Sequence, residues 1–138
     1  MLDDAEYRQL FDFRGRLIRF LRASDARVRA AGLTPSQYLL LLAVRASDSE
    51  LGPTIGEVAD FLILKHHSVV ELIDRASAGG LLRRTSDPDD GRVVRLRLTA
   101  AGRDRLERIA GENFRELGRL RLLDEGLDRA TQGGASNR

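Results

Sequence analysis

The chain has 138 residues, enough for one domain with a core of its own, and contains no cysteine, which excludes disulfides, thiolate metal ligands and cysteine-based redox sensing. Charged residues make up 32% of it, yet the formal net charge is only +2, too small to name an acidic partner by itself. The opening residues lack the basic and apolar regions of a signal peptide, and no apolar run approaches the ~20 residues of a membrane span, so a cytoplasmic protein with no membrane partner is expected.

Residues 5–30 read as one long helix. Leu10, Phe13, Leu17, Leu21 and Val28 recur at spacings near three and four, with arginines over much of the remainder. Phe11, Ile18 and Phe20 widen the apolar stripe beyond what one neighbour covers. A second subunit is the expected second neighbour; scattered surface apolars are the plainer reading. Gly32 ends this helix. Thr34-Pro35-Ser36-Gln37 then opens the next as a capping box with proline at the first helical position, giving a leucine-rich helix over 35–46.

After a loop broken by Gly52 and Pro53, Thr54-Ile55-Gly56-Glu57 forms a second capping box and starts a short helix to about Leu62. Ile63 and Leu64 lie in a turn. A further helix runs from about Lys65 to Ala78, with Val69, Leu72, Ile73 and Ala76 on one face and Gly79-Gly80 at its end. Two short helices across a tight turn suggest a helix-turn-helix, though helical proteins contain many such pairs.

Asp87-Pro88-Asp89-Asp90-Gly91 is a dense group of turn formers. Alternation follows it, with Val94, Leu96 and Leu98 on one face and Arg95 and Arg97 on the other, and Leu81–Thr85 is available as the antiparallel partner. The pattern predicts a hairpin with Asp89, Asp90 and Arg92 at its exposed tip. Thr99 reads as an N-cap, and 100–123 as another long helix carrying Leu106, Ile109, Phe114, Leu117 and Leu120. Residues 131–138 are polar and glycine-containing, and are expected to be disordered.

Helix-turn-helix, hairpin and long helix is the order of a winged helix. The residues Leu33-Thr34-Pro35-Ser36-Gln37-Tyr38, Thr54–Ala59, Ser68–Arg75, Gly80–Arg84 and Asp87-Pro88-Asp89-Asp90-Gly91-Arg92 followed by Leu98-Thr99 and Gly102 resemble the MarR family of transcriptional regulators. The resemblance is strong over roughly 33–109 and positional only in the flanking helices. It implies a mainly α fold with a small antiparallel β-hairpin wing. In that fold one winged helix-turn-helix domain spans the chain, with 33–99 as DNA-binding core and 5–30 and 100–123 as dimerisation helices. The family's last helix looks short here.

By this resemblance the chain is a homodimeric, sequence-specific repressor of double-stranded DNA. It reads a near-palindromic operator and is released by a small aromatic or phenolic effector. Arg92, oriented by Asp90, is implied as a minor-groove contact; without the resemblance the pair is an ordinary exposed ion pair. Lys65, His66, His67, Ser68 and Glu71 lie at the start and outer face of the recognition helix, where side chains reach base edges, and the sequence does not decide between them. Arg83, Arg84, Arg95 and Arg97 read equally as phosphate contacts or as the solvated face of a sheet.

Adjacent histidines point about 100° apart on a helix, so His66 and His67 do not suggest a metal site, and no cofactor is expected. No phosphate loop, nucleophile elbow or His-Glu-x-x-His pattern marks an enzyme. The competing functions are a winged-helix protein–protein interaction module without DNA binding, and a small-molecule binder that has lost its DNA role.

Overall fold

The computed structural model describes the backbone of residues 1–133 and the side chains of residues 1–120. In chain order it contains α1 (Asp4–Ala30), α2 (Pro35–Ala46), α3 (Ile55–Leu62), α4 (His66–Ala78), β1 (Leu82–Ser86), β2 (Val94–Leu98) and α5 (Ala100–Gly133). The chain forms two compact units, Val28–Ile109 and a second made of Met1–Arg27 with Ala110–Arg138. The mainly helical fold with a two-stranded antiparallel hairpin is the expected one.

In the Val28–Ile109 unit both capping boxes form. The Thr34 hydroxyl accepts the Gln37 N–H at 3.2 Å, and the Thr34 N–H donates to the Gln37 side chain at 2.9 Å. Thr54 and Glu57 repeat the exchange at 3.1 and 2.9 Å. These bonds satisfy amide groups that the first helical turn leaves without partners, which is why α2 and α3 start where they do. The core gathers Leu40 and Leu41 of α2, Val58 of α3, Val69 and Ile73 of α4, and Leu82, Leu96 and Leu98 of the hairpin, with Val28, Leu106 and Ile109. Each buried leucine or isoleucine among them contributes about 1.5–3 kcal/mol through removal from water.

The hairpin register pairs Leu82 with Leu98, Arg84 with Leu96 and Ser86 with Val94. The alternation thus puts Leu96 and Leu98 into the core, as expected. The first strand is Leu82–Ser86, one residue further along than its predicted span. Two backbone contacts join β2 to the loop before α3: the Leu96 N–H donates to the Pro53 carbonyl at 2.9 Å, and Thr54 bridges Arg95. Thr99 caps α5 by accepting the Gly102 N–H at 3.0 Å. Gly102 is required there, because a Cβ at this position would stand 2.1 Å from the Leu81 carbonyl oxygen.

In the other unit α1 begins with a capping box that the sequence reading does not anticipate. The Asp3 N–H donates to Glu6 at 2.7 Å and the Glu6 N–H to Asp3 at 2.8 Å. Asn113, buried, donates from its amide to the Ser24 hydroxyl at 2.8 Å. Arg27 donates to Asn113 Oδ1 at 2.9 Å and reaches Glu112 and Glu116 at 3.2 and 2.6 Å. Most of the apolar side chains of α1 are exposed: Leu10, Phe13, Leu17 and Leu21, read as the inner stripe, as well as Phe11 and Ile18. Phe114 and Leu117 of α5 are exposed too.

The last helix was expected to stop near Leu123, but it runs on to Gly133. Sparse apolar residues end a helix less reliably than a proline or a capping glycine does, and no proline occurs in this stretch. Of the tail expected to be disordered, 131–133 belong to α5 and 134–138 lie outside the described residues. No helix among the described residues is long and apolar enough to cross a membrane.

Candidate nucleic-acid interface

The wing tip is organised by Asp87, a residue that the turn composition alone did not single out. Its Oδ1 accepts the backbone N–H groups of Asp89 at 2.8 Å and Asp90 at 3.1 Å, which closes the chain into a turn. Its Oδ2 accepts Arg95 Nε at 2.8 Å, and Arg95 in turn donates from Nη1 to the Gly52 carbonyl at 3.1 Å. The backbone closes the same loop through Asp87 N–H to Val93 O and Val93 N–H to Asp90 O, both 2.9 Å. The Asp87 carboxyl is held below the ordinary aspartate range, first by the Asp89 N–H and then by Arg95, against an opposing effect of burial.

At the tip itself, Asp90 Oδ1 accepts both the backbone N–H of Arg92 at 3.1 Å and its Nε at 3.2 Å. The Arg92 side chain remains 92% exposed. An exposed ion pair of this kind contributes little stability. Its effect is geometric: one carboxylate oxygen fixes both ends of the arginine, leaving the outer face of the guanidinium toward solvent.

Arg95 is placed differently from the expectation that grouped it with the outward-facing cations. Its side chain is only 20% exposed, and both the Asp87 carboxylate and the Gly52 carbonyl hold it. It acts as an internal strut of the wing. The sequence carried one signal of this, an arginine at the edge of a turn rich in aspartate, but several aspartates competed as its partner. Arg84 is also engaged, paired with Asp74 of α4, while Arg83 is exposed. The register sets Arg83 opposite Arg97 on the face away from the core.

The start of α4 presents Lys65, His66 and His67, all exposed, with Ser68 half-buried and Glu71 exposed one turn on. Lys65 occupies the N-cap in extended geometry without a side-chain cap bond, and the first turn holds no acidic residue. A cation at this end opposes the helix dipole unless an anion lies nearby. The opposite face of α4 is fixed by Val69, Leu72, Ile73 and Ala76, which are buried. Burial of that face is what turns the polar residues outward. Among the described residues, no group of three or more His, Cys, Asp or Glu side chains is placed to hold a metal ion.

Comparison with known proteins gives a consistent result. The MarR family profile matches residues 31–93, which include both helices of the helix-turn-helix and most of the wing. A relative from Bacillus subtilis (strain 168), an uncharacterized HTH-type transcriptional regulator called YhbI, is 33% identical over 78 residues, 56% of this chain and 49% of the relative. The match thus spans about half the length of that relative. Among solved structures, a MarR family protein from Bacillus stearothermophilus superposes with a TM-score of 0.74 at 19% identity, over 99% of this chain and 100% of that one. A point mutant of MepR from S. aureus, bound to an oligodeoxyribonucleotide, gives 0.68 at 19% identity over 91% and 94%. At these identities the structural likeness establishes the fold.

Proposed function

Because this chain is a MarR-family winged helix-turn-helix protein, we propose that it is a transcriptional repressor that binds a near-palindromic operator as a homodimer. The observation that carries this reading is Arg92, exposed to solvent on a hairpin tip and held by Asp90. A narrow A·T-rich minor groove concentrates negative potential that suits such a guanidinium. The exposed start of α4, with Lys65, His66, His67 and Ser68 and with Glu71 one turn further, is the part that enters the major groove, where helix N-terminal residues meet base edges. Arg83 supplies a contact to backbone phosphate, which positions the protein without reading sequence.

The dimer is supported by the exposed apolar side chains of α1 and α5, Phe11 at 77% and Phe114 at 68% above all. A two-fold dimer sets its half-sites about one helical turn apart. Release would follow when a small aromatic or phenolic effector binds one spacing of the two recognition helices better than the other, since only differential affinity shifts such an equilibrium.

Duplex binding measured against salt concentration tests the reading. The parent protein should bind with log K falling linearly as log salt rises. Arg92→Glu should weaken binding at least about tenfold, and Lys65→Glu should reduce the salt slope by about one per subunit. Unchanged binding in both variants would remove the assignment of these residues.

A further inference from the structure

Helix α3 ends in a full Schellman turn. The Ile63 N–H donates to the Asp60 carbonyl at 3.3 Å, and the Leu64 N–H reaches back to the Ala59 carbonyl at 3.0 Å. The residue after the helix in this motif sits in the left-handed region and is ordinarily glycine. Here it is Ile63, at φ 55, ψ 46, the one non-glycine with positive φ among the described residues. A β-branched side chain is the least suited to that conformation.

Packing gives no return for this strain, since Ile63 is 90% exposed. Its neighbours Phe61, 70% exposed, and Leu64, 42% exposed, extend an apolar patch over the turn. Backbone strain that local packing does not reward is concentrated at functional sites. The patch adjoins Lys65, the N-cap of α4, where a cation opposes the helix dipole and an anion nearby is favoured. With the start of α4 in a major groove, as proposed above, an apolar surface beside it meets one apolar group on the base edges, the thymine C5-methyl.

We propose that Ile63, flanked by Phe61 and Leu64, reads a thymine methyl group at the edge of each half-site. This assignment rests on the DNA-binding reading above and adds to it a specificity residue outside the recognition helix.

The probe is the duplex that the parent protein selects from a random pool, remade with each thymidine in turn replaced by deoxyuridine, which lacks only the methyl. The parent should lose about fourfold in affinity at one position per half-site, the worth of one buried methyl. Ile63→Gly should lose at least as much on the unmodified duplex, become insensitive to deoxyuridine there, keep the parent's salt slope, and melt no lower than the parent. Ile63→Asn, which also tolerates the left-handed region, should bind like Ile63→Gly. Parent-like binding by Ile63→Gly, equal deoxyuridine sensitivity in parent and variant, or a lower melting temperature would overturn the proposal. So would loss of self-association in Ile63→Asn, which would give the patch to a second copy. A parent that binds no duplex defeats both readings, whereas a parent that binds and loses binding with Arg92→Glu leaves only this one at stake.

Discussion

Substituting Gly52 by alanine should damage the wing through the backbone alone, and the size of the effect can be built from three parts. Gly52 has φ +85, so an alanine there carries the left-handed penalty of about 1–2 kcal/mol. Its Cβ would stand 2.0 Å from the Leu96 carbonyl oxygen, so loop and strand must separate by about 1 Å to reach the closest approach that real Cβ atoms show. That shift stretches two contacts, Leu96 N–H to Pro53 O at 2.9 Å and Arg95 Nη1 to Gly52 O at 3.1 Å. Their net worth is about 1 and about 1.5–3 kcal/mol. The total is roughly 3–5 kcal/mol, allowing for partial relaxation. Gly80→Ala is the control: φ is +73, but nothing lies within 4 Å of the added Cβ, so it carries only the conformational term. Urea unfolding with matched m-values measures both. Stability losses that differ by less than about 0.5 kcal/mol between the two would refute the claim that the 52–54 segment and β2 are held in hard contact.

Three further outcomes follow from the same geometry. Asp87 has a folded pKa below its unfolded value, so its stabilising contribution is fully present above the unfolded pKa and is lost as pH falls through the folded one. Asp87→Asn should therefore flatten the acid limb of the stability-versus-pH curve and weaken duplex binding near neutrality, as followed by thermal melts and titration. Thr54→Ala removes the reciprocal cap of α3 and should cost about 1 kcal/mol in chemical unfolding, with a smaller loss for Thr54→Ser. Leu40→Ala, at a side chain with no solvent exposure, should cost about 2–5 kcal/mol in the same assay.

The helix starts of α2 and α3 were legible because Thr34-Pro35-Ser36-Gln37 and Thr54-Ile55-Gly56-Glu57 write both halves of a local hydrogen-bond exchange into four residues. The wing was legible for a similar reason: period-two alternation fixes which residues face inward once a turn is placed. What escaped depends on partners far apart in the chain. Arg95 reaches Gly52, and nothing near either residue announces it. Asn113 meets Ser24 from the other end of the sequence, and its burial follows only from the meeting of α1 and α5. The left-handed conformation of Ile63 was hidden too, because the residue type argues against it.

The Ser24–Asn113 bond, with Arg27 ranged beside it, acts as a mechanical detent on the two helices that carry it. Apolar side chains alone let neighbouring helices slip by small steps with little penalty, since one leucine contact replaces another. An amide bonded to a hydroxyl among buried side chains resists such slip, because an offset that breaks the bond costs about 0.5–1.5 kcal/mol. The bond therefore favours one register of α1 against α5 over its neighbours, and the two helices are expected to move together more readily than past each other.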